Sequence, residues 1–198
     1  MEMHLICIMQ KKNIAIFASG NGSNAGQIIK HFRESDVAEV ALVVCNRAGA
    51  AVIDRSRALG VAVEVIDRAG INNPELMNGV FDRYGIDVVV LAGFLLMVPD
   101  FILERYHDNV LNIHPSLLPR FGGKGMYGRN VHQAVVEAGE KESGITVHLV
   151  TGRCDEGRIL FQTSVPLSPS DTADDVEQKV HELEYRHYPE VIEKWCGM

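Results

Sequence analysis

The stretch Ile14-Ala-Ile-Phe-Ala-Ser-Gly-Asn-Gly-Ser-Asn-Ala25 runs from an apolar segment through a glycine-rich loop into an amphipathic segment. A continuous apolar run of this length is typical of a parallel strand that is covered on both faces. The residues after the loop predict a helix over 24–32 that begins at Ser23 or Asn24. A strand that passes through a tight loop into a helix is the usual opening of an α/β fold.

The same alternation continues along the chain. Further strands are predicted over residues 37–45, 61–66, 87–92 and 110–113, and further helices over residues 50–59, 74–84 and 131–138. Two late strands, 144–150 and 159–165, are close neighbours in the chain, which favours antiparallel pairing, and one long helix follows over 173–195. The sequence therefore predicts an α/β fold with a single-domain, open Rossmann-like sheet. Its first half is parallel, its second half mixed or antiparallel, helices cover both faces, and a long C-terminal helix ends the chain.

Composition narrows the class of protein. The chain has 198 residues, 46% of them hydrophobic, and a formal net charge of −7. Its longest apolar run, Val88 to Val98, is well short of the ~18–20 residues that a membrane-spanning helix needs. No cluster of Lys and Arg exceeds a pair, whereas a nucleic-acid site normally shows a basic stripe. We therefore expect neither a membrane nor a nucleic acid as a partner.

The amino terminus and the cysteines indicate a cytoplasmic location. The apolar segment Leu5–Met9 is too short for a secretory signal, and its positive charges follow rather than precede it. The four cysteines form no C-x-x-C pair, so neither a zinc knuckle nor a redox motif is indicated. We expect residues 1–11 to be an extension outside the fold and residues 12–198 to form the domain.

The first loop is a candidate anion site. Its residues are Gly20, Asn21, Gly22, Ser23 and Asn24. Convergent backbone N–H groups at a helix amino terminus favour a negative charge, so a small phosphorylated metabolite is the preferred ligand. A structural turn and a dinucleotide site stay open, since the loop matches a relaxed G-x-G-x-x-A pattern. A dinucleotide site also needs an acid at the end of the second strand, where this chain has Asn46 and Arg47.

Asn112 and His114 form the second candidate. They lie two residues apart at the end of a predicted strand, so both side chains point to the same face. The carboxyl ends of strands line the ligand crevice in open α/β sheets. An amide and an imidazole placed there can hydrogen-bond a carbonyl oxygen and carry a proton. The alternative is a pair that only satisfies backbone groups.

Asp155 is the acid that we expect beside His114. It lies in the turn between the two late strands, whereas Glu156 should point elsewhere and Asp87 starts a strand at the wrong end of the sheet. An acid in this position should raise the pKa of His114 and favour its cationic form near neutral pH. A surface acid without function is the alternative.

A metal site is a weaker possibility. His114, His132 and Asp155 are metal-ligating residue types, but their spacing matches no known metal motif. We therefore predict no metal. His148 and Thr146 share one face of the first late strand, without an assigned role.

Four segments together indicate a family. They are Ser19-Gly-Asn-Gly-Ser-Asn24, Val89-Val-Leu-Ala-Gly-Phe94, Leu111-Asn-Ile-His-Pro-Ser-Leu-Leu-Pro119 and Asp155-x-Gly157. In this order the chain resembles the phosphoribosylglycinamide formyltransferase family of the folate-dependent formyltransferase superfamily, from about residue 12 to residue 195. The Asn-Ile-His-Pro-Ser-Leu-Leu-Pro segment indicates the superfamily, and the glycine-rich loop indicates the branch.

This resemblance implies a reaction and its residues. The reaction is transfer of a formyl group from 10-formyltetrahydrofolate to the amine of 5′-phosphoribosylglycinamide in purine (IMP) biosynthesis, through a tetrahedral intermediate. Asn112, His114 and Asp155 match the catalytic residues of the family. The loop 20–24 matches its substrate-phosphate site, and Glu184 matches the acid that holds the substrate ribose.

The resemblance also implies a folate site and an assembly. The residues that match the folate site are Leu95, Met97, Val98, Asn112, Gly152 and Asp155. Folate is then a co-substrate, no metal takes part, and the protein is a monomer or weak homodimer. The chain departs from the family at Leu96, where some members have a basic residue. It departs again in a longer loop at 121–128, where either Lys124 or Tyr127 could touch substrate.

Two rival functions stay open. A nucleotide-binding domain for NAD(P) would use the first loop and place Arg47 on a 2′-phosphate, which leaves Asn112 and His114 unexplained. A formyltransferase that acts on another amine would use the same catalytic residues.

Overall fold

The computed structural model describes residues 11–198, so the predicted extension lies outside the described residues except for Lys11. The strands are β1 (Lys12–Ala18), β2 (Ala38–Cys45), β3 (Ala62–Val65), β4 (Val88–Leu91), β5 (Val110–His114), β6 (Glu142–Leu149) and β7 (Ile159–Pro166). The helices are α1 (Ser23–Phe32), α2 (Ala51–Ala58), α3 (Arg68–Ile71), α4 (Pro74–Tyr84), α5 (Asp100–Tyr106), α6 (Arg129–Glu137) and α7 (Ala173–Cys196).

The strands form one sheet in the order β3-β2-β1-β4-β5-β6-β7. The first five of these pair in parallel, and β6 and β7 are antiparallel to their neighbours. The predicted fold class is confirmed, including the change of strand direction in the second half. The sheet register places Asn112 opposite His148 and His114 opposite Thr146.

Helices cover both faces of the sheet because the central strands are apolar on both sides. On β1, Ile14 and Ile16 pack against α1, α2, α6 and α7, whereas Ala15 and Phe17 pack against α3, α4 and α5. The fully buried Tyr188 of α7 donates its hydroxyl to the Leu91 carbonyl at 2.9 Å, which ties the long helix to the end of β4. The site is therefore built on rigid elements.

Two short helices were not predicted from the sequence. The four residues of α3 are too few for a periodic pattern, and this turn is set by Asp67, whose carboxylate accepts the Gly70 N–H at 2.8 Å. Helix α5 follows Pro99 directly and buries Ile102 and Tyr106 against the sheet. None of the helices within residues 11–198 is long and apolar enough to cross a membrane.

Candidate active site

A cleft of about 630 Å³ opens at the carboxyl ends of the parallel strands. The loops that follow β1, β4 and β5 form its floor, and the loop 123–128, the turn after β6 and one face of α7 form its walls. This is the edge where an open α/β sheet binds its ligands. Twelve of the thirteen residues predicted for the site line this cleft, and Gly152 is the exception.

The first loop presents the amino terminus of α1 to the cleft. Gly22 precedes the helix with φ 73°, and a Cβ there would collide with Val52 of α2. The N-cap residue Gly22 has no side chain to cap this helix, so apart from the Ser23 N–H its first N–H groups are free to bind an anion. The Asn21 side chain accepts the Ser23 N–H at 2.9 Å, and Arg55 donates to the Asn21 carbonyl at 3.1 Å.

The end of β2 does not have the form of a dinucleotide site. Asn46 accepts a hydrogen bond from the Ser19 hydroxyl at 2.6 Å, and Ser19 in turn accepts the Leu95 N–H at 2.9 Å. Asn46 therefore braces two loops of the cleft. Arg47 is not among the residues that line it.

Asn112 lines the cleft beside His148, a histidine to which the sequence assigned no role. Its amide nitrogen lies 3.1 Å from His148 Nε2 across the β5–β6 pair. His148 Nδ1 faces the Leu149 carbonyl at 2.8 Å and must donate to it, since a carbonyl only accepts. The sequence signal that could have identified His148 is its position on the strand that pairs with β5, directly opposite Asn112.

His114 is nearly buried and lies between two acceptors. Its Nε2 donates to the Phe121 carbonyl at 2.7 Å, and its Nδ1 lies 3.6 Å from Asp155 Oδ2. Burial lowers the pKa of His114 below its ordinary value, and the nearby Asp155 charge only partly offsets this. The expectation that Asp155 makes His114 cationic near neutral pH is therefore wrong. The desolvation of a side chain that is 4% exposed outweighs the charge of its neighbour.

Asp155 is brought beside both histidines by a strained turn. Its backbone has φ 57°, its Oδ2 accepts the Gly123 N–H at 2.8 Å, and its Oδ1 lies 3.6 Å from His148 Nε2. Burial alone raises the pKa of Asp155. The interactions with His148, the Gly123 N–H and His114 outweigh it and bring the pKa to about 2. The carboxylate is therefore ionised at neutral pH.

The spacing Asp155-x-Gly157 has a steric cause. A Cβ at Gly157 would collide with the Leu149 carbonyl, because the chain passes directly against β6 at this point. The turn is thereby held close enough to β6 for Asp155 to reach His148. Thr146, on the same strand, does not enter the cleft. Its buried hydroxyl donates to the Ser116 carbonyl at 2.6 Å and fixes the loop after β5.

The other wall of the cleft is apolar. Leu95 and Met97 are 49% and 57% exposed and line the cleft, as do Leu96 and the buried Val98. Such exposed apolar side chains inside a concave site favour a flat aromatic ligand. Gly152 does not line the cleft, although Thr151 and Arg153 on either side of it do.

The loop 121–128 closes over this site. Both Lys124 and Tyr127 line the cleft, so the structure does not separate the two candidates. The loop makes both contacts described above with the catalytic pair, through the Phe121 carbonyl and the Gly123 N–H. These contacts come from the backbone, and for this reason the side chains of the loop gave no signal in the sequence.

Glu184 lies on α7, in the part of the cleft next to the anion loop. It is 4% exposed, and its Oε2 accepts the Asn24 amide at 2.9 Å and faces His181 Nδ1 at 2.7 Å. Helix α7 thus joins the acid to the anion loop. No group of three His, Cys, Asp or Glu side chains within residues 11–198 is placed to hold a metal ion.

The formyl transferase family model matches residues 12–192 of the chain. The phosphoribosylglycinamide formyltransferase of Bacillus subtilis is 34% identical over 94% of this chain and 96% of that protein. The chloroplastic phosphoribosylglycinamide formyltransferase of Arabidopsis thaliana is 38% identical over 94% of this chain. The chain spans 66% of the length of that plant protein and 64% of the length of its counterpart in Vigna unguiculata.

Solved structures show the same fold. Glycinamide ribonucleotide transformylase 1 from Symbiobacterium toebii superimposes with a TM-score of 0.86 at 34% identity, over 94% of this chain and 88% of that one. The enzyme named phosphoribosylglycinamide formyltransferase from Brucella melitensis gives 0.85 at 34% identity, over 96% and 97% of the two chains.

Proposed function

The chain belongs to the formyl transferase family, among the phosphoribosylglycinamide formyltransferases, and we propose that it formylates 5′-phosphoribosylglycinamide with 10-formyltetrahydrofolate in purine synthesis. One observation carries this proposal. Asn112, His114 and Asp155 line the same cleft as an anion loop and an apolar wall. A phosphate ester and a flat aromatic ring system can therefore reach the same catalytic residues within one cleft.

The phosphorylated substrate occupies the end at the loop 20–24. Its phosphate accepts the free N–H groups at the start of α1. None of the described residues donates to Oε1 of Glu184, since both protein donors use Oε2. Oε1 is thus available to accept the ribose hydroxyls. This places the glycinamide amine toward Asn112.

The folate occupies the apolar end. Its ring system packs on Leu95, Met97 and Val98, and the turn that carries Gly152 and Asp155 closes on its other side. The absence of a basic residue at Leu96 leaves this wall without one polar contact that some family members have. Binding of the ring then depends mainly on the area of apolar surface that it covers.

The chemistry uses the polar cluster between these ends. The amine attacks the formyl carbon, and the carbonyl oxygen becomes a tetrahedral oxyanion that accepts hydrogen bonds from Asn112 and His114. A donor of this kind contributes ~3–4 kcal/mol to the transition state. The bond from the formyl carbon to N10 of the folate then breaks. The proton lost by the amine passes through the Asp155–His114 pair to N10, directly or through a water.

His114 changes its hydrogen bonds during this reaction. In the structure its Nε2 donates to the Phe121 carbonyl, so donation to the oxyanion requires it to exchange one acceptor for the other. Once His114 has taken up a proton, both ring nitrogens face acceptors. Nε2 faces the Phe121 carbonyl or the oxyanion, and Nδ1 faces Asp155. Charge on the ring is thereby favoured in the transition state and disfavoured before it, which is the differential stabilisation that catalysis needs.

We also assign residues 12–198 to the formyltransferase domain and infer a cytoplasmic monomer or weak homodimer. Every residue that carries the proposed chemistry comes from this one chain, so a second subunit is not needed to complete the site. Sedimentation velocity over a range of concentrations measures this directly. A tight, concentration-independent oligomer would contradict the inference.

The experiment mixes the purified protein with glycinamide ribonucleotide and a 10-formyl folate, and follows the deformylated folate by absorbance. Turnover that requires the ribonucleotide and is lost in His114→Ala supports the proposal. His187→Ala is the control, because His187 packs on Phe161 outside the cleft. Folate release without ribonucleotide indicates a hydrolase. Release that requires a different amine indicates another formyltransferase, and tight NADPH binding without turnover supports the dinucleotide rival.

A further inference from the structure

A histidine beside Glu184 has no role in the chemistry described above. His181 lies one helical turn before Glu184 on α7, and both side chains line the cleft. His181 Nδ1 is 2.7 Å from Glu184 Oε2, the same oxygen that accepts the Asn24 amide at 2.9 Å. One oxygen of the acid is therefore held by two protein donors, and this orients the other oxygen.

Both ring nitrogens of His181 face carboxylates. Nε2 lies 3.5 Å from Glu177 Oε1, one turn earlier on the helix, and the ring stacks on Tyr185 with centroids 5.6 Å apart and an interplanar angle of 8°. The hydrogen bond to Glu184 raises the pKa of His181, and the charges of both acids add to this against the effect of burial. Contact with a carboxylate on both sides favours the cationic form of the ring.

Acidic side chains beside the anion loop would repel a phosphate unless a cation offsets their charge. Glu177 and Glu184 line the cleft together with the anion loop, and a phosphate there would meet two negative charges. His132 of α6 also faces His181, and burial lowers the pKa of His132, so it supplies no charge near neutral pH. His181 is thus the cation that lies directly against Glu184.

We propose that His181 is a positioning residue for the phosphorylated substrate, which holds Glu184 by one oxygen and cancels its charge beside the anion loop. The inference rests on the proposed function for the identity of that substrate. With His181 in place, Glu184 still offers Oε1 as an acceptor to the ribose hydroxyls, and its negative charge repels the substrate phosphate much less. Loss of the charge raises the KM for the ribonucleotide by about five- to tenfold, after allowance for solvent screening at the partly exposed His181.

The test compares three variants on the same helix. His181→Gln keeps a donor toward Glu184 but is neutral, and His181→Lys keeps the charge. His187→Gln is the matched control, because His187 also pairs with an acid three residues on, Glu190 at 3.4 Å, but does not line the cleft. For each, kcat and KM for the ribonucleotide are measured, and binding of ribose 5-phosphate is measured by calorimetry between about pH 7 and pH 9. A phosphate monoester is already a dianion in that range, and ribose 5-phosphate has no amine to titrate.

The expected result is a higher KM in His181→Gln with kcat within about twofold of wild type, and near-normal KM in His181→Lys and His187→Gln. Wild-type affinity for ribose 5-phosphate should fall as the pH rises through the pKa of His181, and this fall should vanish in both His181 variants. A KM in His181→Gln within twofold of wild type overturns the inference, as does a loss in kcat alone. Failure of the wild type to bind ribose 5-phosphate overturns it too. If the wild type binds ribose 5-phosphate in this His181-dependent way but transfers no formyl group, the proposed function fails and the inference stands.

Discussion

His114 at the strand end of the cleft and His181 at its helix end both lie beside a carboxylate, yet their charges differ. His114 is nearly buried, and burial lowers its pKa despite Asp155. The His181 side chain is 32% exposed, and its hydrogen bond to Glu184 raises its pKa. A neutral ring that can gain charge is suited to a transition state, whereas a ring whose cationic form is favoured is suited to binding a charged substrate. Changes at the strand end should therefore alter kcat, and changes at the helix end should alter KM.

The strand end gives the largest expected effect. Asp155→Asn removes the ionised carboxylate beside both histidines but keeps its shape, and asparagine tolerates the left-handed backbone at this position. We expect kcat to fall on the order of 10³-fold, with KM for the ribonucleotide nearly unchanged, because the phosphate and ribose contacts are at the other end. Steady-state kinetics with both substrates varied measures the two constants separately.

A matched control for this variant is Asp171→Asn. Asp171 also accepts a backbone N–H, from Ser168 at 2.8 Å, and pairs with Lys179, but it lies outside the cleft. It should leave both constants within about twofold of wild type. A kcat within tenfold of wild type for Asp155→Asn would remove Asp155 from the proton path and erase the contrast between the two ends.

The helix end gives an intermediate effect on the other constant. Glu184→Gln keeps the size of the side chain but loses a charged acceptor, and a hydrogen bond to a charged group contributes about 1.5–3 kcal/mol. We expect KM for the ribonucleotide to rise roughly 10- to 100-fold with kcat within a few-fold. Glu190→Gln is the control on the exposed side of the same helix. A fall in kcat larger than the rise in KM would show that the two ends do not act separately.

The positions of Asn112, His114 and the glycine-rich loop in the site were largely predictable because they follow from local sequence patterns. Asn112 and His114 lie on one strand with the period of two that puts them on one face, and the glycine-rich loop follows a strand in the manner of anion sites. Asp155 was expected beside His114 from its turn between the two late strands, but a turn acid has no periodic signal, and its match to a catalytic residue came from the resemblance to a family. His148 could have been added from the antiparallel pairing, which places it opposite Asn112.

The charge states and the loop 121–128 were not predictable from residue types. The pKa of His114 is set by how completely the fold buries it, which a sequence pattern does not state. The contacts of the loop come from the backbone of Phe121 and Gly123, so any side chain there is compatible with them. His181 escaped notice for a similar reason. A histidine near two acids on a helix is usually a solvated pair, and only the fold shows that Glu184 also reaches Asn24.

The smallest expected effect is on stability. The free energy of unfolding should depend on pH in different ranges for His114 and for His181. A histidine with a lowered pKa binds fewer protons when folded, so His114 and His132 should make the free energy of unfolding fall as the pH drops below about 6.5. The slope is at most about 1.4 kcal/mol per pH unit for each proton taken up. His181 has a raised pKa, so its contribution is fully present below that pH and is lost only as the pH rises through its folded pKa. Asp155 contributes to the free energy of unfolding above its ordinary pKa of 3.8, and this contribution is lost only as the pH falls to about 2, which is far below pH 5.

Urea unfolding between about pH 5 and pH 6.5 should therefore show a shallower dependence of the free energy of unfolding on pH in His114→Asn than in wild type, and an unchanged dependence in His181→Gln. Equal slopes in His114→Asn and wild type would mean that burial does not keep His114 neutral, and the contrast between the two ends of the cleft would then lose its electrostatic basis.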